Sequence, residues 1–240
     1  MRRVLLLTGL LASAALAAEP LQFEPRHMEA TRPGCGDATK GCAHADFNYV
    51  EAVSGPEEVC ARINAGIRDY LVSRPNDGLN LTPQEYAQHF VAGYQNFNGA
   101  KWFLDKTVKV LRVTPPVISL EGTESSYAGG AHGSFDVIFL NFDPSTGAPL
   151  KLDSIIRPGA LPRLTAIAEV YFRKARRLSP TADLTKEGFW FKDGKFQLNE
   201  NFGLTDKELI FQYNNYEVAP YAWGPTRVVI PLVEIRDLLL

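Results

Sequence analysis

The sequence predicts an α+β protein: an antiparallel sheet packed with helices, arranged in two lobes. Three observations carry that expectation. Three segments hold apolar residues at helical spacing, a run from Thr107 to Asp143 alternates with period two, and helices and strands are segregated rather than strictly alternating. With 45% hydrophobic residues in 240, the chain can bury a substantial core.

The first residues, MRRVLLLTGLLASAALAAEP, carry Arg2 and Arg3, an apolar run from Val4 to Leu11, and small residues ending in Ala15-Leu16-Ala17. That is the order of a secretory signal peptide. The apolar run falls short of the roughly 20 residues that span a bilayer. Residues 1–18 are therefore expected to be a leader, and the mature protein to be periplasmic or secreted, with no membrane span. Loss of Arg2 and Arg3 leaves 23 basic against 27 acidic residues. A mildly acidic chain has no global electrostatic reason to bind nucleic acid.

Residues 19–40 are polar, with Pro and Gly, and read as an extended lead-in. Cys35, Cys42 and Cys60 fit an oxidising compartment in which one pair is bridged. The flexible stretch RPGCGDATKGCAH favours a Cys35–Cys42 disulfide, with Cys42–Cys60 the competing pair. A C-x6-C pair and a distant third cysteine do not make a zinc pattern.

Residues 41–116 are expected to form an N-terminal α+β lobe. AHADFNYVEA (43–52) alternates as a strand. In residues 55–74, Pro56, Glu57 and Glu58 suit a helix start, and Val59, Ile63, Ile67 and Tyr70 or Leu71 form one apolar stripe. Residues 81–97 predict a second helix, opened by a capping box of Thr82 and Glu85 with Pro83 at the first helical position. Its stripe of Tyr86, Phe90, Tyr94 and Phe97 reads as core, and His89 as partly exposed.

Residues 117–240 are expected to form a C-terminal α+β lobe. Segments 107–113, 117–128 and 134–143 read as consecutive antiparallel strands, and Asp143-Pro144-Ser145-Thr146-Gly147 as a turn. Residues 161–177 predict a third helix, whose RKARR run (173–177) reads as a solvated C-terminal end. GFWF (188–191), KFQL (195–198), ELIFQY (208–213) and TRVVIPL (226–232) are strand candidates, and residues 233–240 a short terminal helix.

Catalytic templates are missing. G-x-S-x-G, a phosphate-binding loop and H-E-x-x-H do not occur, and the four histidines (27, 44, 89 and 132) are not closely paired. No catalytic residue, metal or cofactor is expected. The alternative is a small cell-wall hydrolase using His132 and a distant carboxylate as acid and base. Three segments instead suggest binding. In SSYAGGAHGSFD (125–136) the glycines read as a hairpin connection that needs positive φ, and Tyr127, Gly129, Gly130 and His132 are candidate contacts. In YNNYEVAPYAWGP (213–225), Tyr216, Tyr221 and Trp223 offer rings suited to sugar faces and protein interfaces. FWF (189–191) offers further rings, of which Phe189 and Phe191 are expected to face the core.

YAGGAH (127–132), NFDPSTGAPLKL (141–152) and LIFQYNNYEVAPYAWGPTRVVIPLVEIRDLL (209–239) occur in that order. Together they resemble an extracytoplasmic domain of unknown function. That domain is found at the C-terminus of lysozyme-sensing (RsiV-like) anti-sigma factors and beside some peptidoglycan deacetylase domains. The resemblance spans residues 117–240, and ARINAGI (61–67) is similar to the partner domain that usually precedes it. It implies a compact α+β unit outside the cytoplasm. Such a unit recognises a lysozyme-like enzyme or peptidoglycan, in envelope sensing or protection, without catalysing a reaction itself.

Overall fold

A computed structural model of the chain describes residues 20–33, 42–72, 81–95 and 99–240. The expected leader, Cys35 and Phe97 lie outside the described residues. Strands β1 (Gln22–Thr31) and β2 (Ala43–Ser54) pair antiparallel. The first falls inside the stretch read as a lead-in. It is an edge strand, and its Pro25 is tolerated there because an edge need not supply every ladder donor.

Helix α1 (Glu57–Leu71) buries Val59, Ile63, Ile67, Tyr70 and Leu71, as its spacing requires. Cys60, on this helix, is a free thiol, which removes the Cys42–Cys60 pairing. Helix α2 (Pro83–Ala92) opens with the capping box: Thr82 Oγ1 accepts from the Glu85 N–H, and the Thr82 N–H donates to Glu85 Oε2 at 2.8 Å. The chain then runs through β3 (Trp102–Arg112), β4 (Ile118–Tyr127) and β5 (Ser134–Phe142). These complete a five-stranded sheet in the order β1-β2-β3-β4-β5. The β2–β3 pair is parallel, so the sheet is mixed rather than wholly antiparallel. The two helices supply the crossover that a parallel pair demands.

Both helices pack on one face of this sheet, against Phe47, Leu104, Val108 and Leu120. Lys106 sits in the same core, fully buried. Its ammonium bonds Glu124 at 2.8 Å and the Tyr70 carbonyl at 3.1 Å, which offsets the cost of burying the charge.

Helix α3 (Leu161–Ala175) covers a second sheet of β6 (Phe202–Leu204), β7 (Glu208–Tyr213) and β8 (Thr226–Pro231), and α4 (Leu232–Ile235) closes the fold. Residues 188–191 and 195–198 are not strands, contrary to the period-two reading. Gly188, Asp193 and Gly194 hold positive φ, which breaks extended backbone. Phe189, Phe191 and Phe196 instead converge edge-on or tilted upon Phe172, with ring centres 5.0–5.2 Å away.

The two sheets meet on the other face of the large one, where Val137 and Phe139 of β5 pack against Ile210 of β7. Two asparagines complete the outer edge of β5. Asn214 accepts from the Val137 N–H and donates to the Val137 carbonyl, both at 2.9 Å. Asn201 accepts from the Phe139 N–H at 2.9 Å and donates to the same Val137 carbonyl at 2.7 Å. Backbone groups on a strand edge that would otherwise pair with water or another chain are thus satisfied from within.

Glu121 also joins the two sheets. It is 4% exposed and accepts from Lys109 on its own sheet at 2.7 Å and from Arg227 on β8 at 2.6 Å. Burial pushes its carboxyl upward, but the two cations outweigh that and hold it below the usual glutamate range.

Candidate functional site

The β4–β5 connection spans residues 128–133, and its shape follows from its glycines. Gly129 and Gly130 adopt φ of 88° and 104°, a region that side chains resist. Tyr127 closes the loop by donating its hydroxyl to the Gly130 carbonyl at 2.9 Å, while its ring lies near Phe103. This loop delivers His132 to the surface.

Opposite it stands the segment after β7. Tyr216 takes a left-handed φ of 63°, rare for a residue with a side chain, and is 58% exposed. The turn is fixed by the Asn214 N–H donating to Glu217 Oε2 at 2.8 Å and by Asn215 donating to the Phe135 carbonyl at 3.3 Å. Strain held by its surroundings at an exposed ring is the pattern seen at binding sites. A short helical turn at Tyr221–Trp223 follows.

Three of the residues expected to bind come together here. The His132 and Tyr221 rings stack with centres 3.8 Å apart and planes 19° apart. Tyr216 lies tilted beside them, 5.5 Å from Tyr221. The Tyr221 hydroxyl donates to the Gly133 carbonyl at 2.9 Å. His132 Nδ1 contacts that carbonyl at 2.9 Å, and since a carbonyl only accepts, Nδ1 carries the proton. In the neutral ring Nε2 then accepts from the Tyr216 hydroxyl, 3.3 Å away. Both ring nitrogens are therefore engaged by a backbone carbonyl and a phenol, not by a carboxylate.

Trp223 is not part of this stack. Its indole meets Phe189 edge-on at 5.2 Å and rests over Gly188, where a Cβ would lie 2.7 Å from the ring. Trp223 remains 44% exposed. The FWF segment (189–191) divides: Phe189 and Phe191 are buried, while Trp190 is 49% exposed and donates its indole N–H to the Glu217 carbonyl at 2.9 Å. The sequence reading missed Phe135, exposed at the start of β5.

The remaining histidines lie elsewhere. His27 pairs with Asp46 at 3.0 Å and His44 with Asp105 at 3.5 Å, on the face of the large sheet away from the helices. Among the described residues no three His, Cys, Asp or Glu gather as a metal-ligand set, and no described helix is long and apolar enough to cross a membrane.

Comparison with known proteins agrees with the motif series. Residues 153–232 match the family described as "Protein of unknown function (DUF3298)". Over 199 residues the chain is 26% identical to the peptidoglycan-N-acetylmuramic acid deacetylase PdaC of Bacillus subtilis (strain 168). That match covers 77% of this chain but 42% of the relative, so the chain spans less than half of that protein's length. Two solved structures share the fold. A member of the DUF3298 family from Bacteroides fragilis NCTC 9343 superposes with a TM-score of 0.72 at 22% identity, covering 92% of this chain and 94% of its own. A DUF3298 family protein from Pseudomonas aeruginosa PAO1 gives 0.71 at 21% identity, covering 92% and 95%. Residues 153–232, within the stretch whose motifs carry the resemblance, thus match the model of the DUF3298 family of unknown function, and the solved DUF3298 structures share the fold.

Proposed function

We propose that this protein is a non-catalytic, exported binding protein of the cell envelope. Its ligand is peptidoglycan or a lysozyme-like enzyme, and its contact surface is built on His132, Tyr216 and Tyr221. The observation that carries this is the immobilised stack itself. Every polar tip in it is bonded internally, so what the surface offers is ring area held in one geometry, which lowers the entropic cost of binding. The name of the Bacillus relative, a peptidoglycan deacetylase, supports a wall-related ligand. The expected leader and Cys35–Cys42 disulfide belong to the same reading of an extracytoplasmic protein.

The test is sedimentation of the protein with purified sacculi and, separately, retention on immobilised lysozyme. Retention in at least one, weakened about tenfold in Tyr221→Ala, is the expected result. No retention in either rejects the proposal. The rival hydrolase would require His132 to exchange a proton with substrate, and its nitrogens are occupied as described. Wall-hydrolysing activity that is present in the native protein and abolished in His132→Ala would favour the rival.

A further inference from the structure

The basic run at the end of α3 does not simply face solvent. Arg173 turns back on its own helix, bonding Glu169 Oε1 and the Ala182 carbonyl. Arg176 points the other way, beneath the aromatic segment. Its Nε donates to Thr226 Oγ1 at 2.7 Å, Nη1 to the Trp223 carbonyl at 2.8 Å, and Nη2 to the Gly224 carbonyl at 2.8 Å. The guanidinium also lies 5.5 Å from the centre of the Phe189 ring, the same ring that Trp223 meets edge-on.

Each of these hydrogen-bond acceptors is neutral, and no carboxylate among the described residues forms an ion pair with Arg176. Burial, with nothing opposing it, pulls its pKa down. A charge held at that cost without a counterion is not explained by ion pairing. It is explained by geometry: a planar fork aims its donors in fixed directions and so grips two consecutive carbonyls and a hydroxyl in one arrangement, where an ammonium acts as a rotatable point charge. The gripped carbonyls belong to Trp223 and Gly224, where the backbone turns with φ of 68° at the glycine. Gly188 leaves the space into which the indole settles.

We infer that Arg176 is the positioning residue of the aromatic surface, fixing the Trp223–Gly224 backbone so that Trp223 stands beside the Tyr221 stack as a second contact for a saccharide ring. This rests on the binding reading above and narrows it to the glycan component of the wall. An indole fixed from below and open on its outer side suits the apolar face of a sugar.

The experiment uses the full chain labelled with fluorotryptophan. Its three tryptophans give three fluorine resonances, and Trp223→Phe identifies that of Trp223. In Arg176→Met and Arg176→Lys the Trp223 resonance is expected to shift and broaden while that of Trp102 stays. Retention on sacculi should fall about tenfold, the scale of one lost well-placed contact. Thr226→Val, which removes only the Nε acceptor, should move the same resonance less, and it serves as the milder probe if Arg176→Met fails to fold. An unmoved Trp223 resonance in these variants overturns the inference. So does full recovery in Arg176→Lys of both resonance and retention, since a point charge would then suffice. If the native protein ignores sacculi but the resonance shifts as expected, Arg176 positions Trp223 and the saccharide assignment is wrong.

Discussion

His132 and Tyr221 stand 89 positions apart in order of chain and yet face each other at 3.8 Å, sharing one acceptor, the Gly133 carbonyl. The hairpin loop and the segment after β7 are thereby tied at a single backbone oxygen. Tyr221→Phe removes the Tyr221 bond to Gly133 and keeps the stack, whereas Tyr221→Ala removes that bond and the stack together. Stacked aromatic pairs contribute about 0.5–1.5 kcal/mol beyond their buried area. Sedimentation with sacculi should therefore weaken about tenfold in Tyr221→Ala and only slightly in Tyr221→Phe. Equal losses would show that the hydroxyl, not the ring, carries the contact.

Asn201 and Asn214 both donate to the Val137 carbonyl. Asn214→Ala leaves the Val137 N–H without its partner, and Asn201→Ala does the same to Phe139. Each should destabilise by roughly 1–3 kcal/mol, the cost of stranding buried polar groups. Because either asparagine alone still satisfies the shared Val137 carbonyl and only the double variant strands it, the double variant should lose more than the two single losses added. Urea denaturation of the three variants measures this, and strict additivity would contradict the shared bond.

Glu121 gives a pH dependence of definite sign. Its carboxyl is held below the ordinary value of 4.5 by Lys109 and Arg227, so the unfolded chain binds its proton more readily than the folded one. The stability it contributes is present above pH 4.5 and is lost as pH falls through the depressed folded value. Melting temperature against pH should show a shallower acid limb in Glu121→Gln than in the native protein. Parallel curves would remove Glu121 from the account.

Two glycines should respond differently to alanine. At Gly203 a Cβ would lie 2.4 Å from the Phe139 ring, which is fixed between the two sheets, so Gly203→Ala should cost about 1–3 kcal/mol by overpacking. At Gly130 nothing lies within 4 Å, and the cost comes only from a φ of 104°, on the order of 1 kcal/mol. Thermal denaturation separates the two, and a larger loss at Gly130 would reverse the argument.

Much of this architecture can be read from local chemistry. Thr82 and Glu85 announce the start of α2, the Val59–Ile63–Ile67 stripe announces the buried side of α1, and Gly129 and Gly130 mark the turn before β5. The failures come where distant residues decide. Phe189, Phe191 and Phe196 alternate as in a strand, but Phe172 and Tyr213 gather them, and no strand lies there to pair with. The parallel match of β2 with β3 depends on a crossover rather than on either segment's pattern. At the site, His132, Tyr216 and Tyr221 were legible as ring-bearing residues near turns. Arg176 was not, because a basic residue at a helix end has a sufficient local explanation in the dipole.

The asparagine pair on β5 has a further consequence, for how the chain survives its own synthesis. Until Asn201 and Asn214 have emerged and docked, the edge of β5 is an open template on which another copy can lay a strand. A chain cut after residue 150 should therefore self-associate, even though its helices and its own core are intact. Docking of residues 151–240 is then expected to act as an intramolecular chaperone for the large sheet, and size-exclusion chromatography of the truncated chain, with and without residues 151–240 supplied in trans, would make that visible.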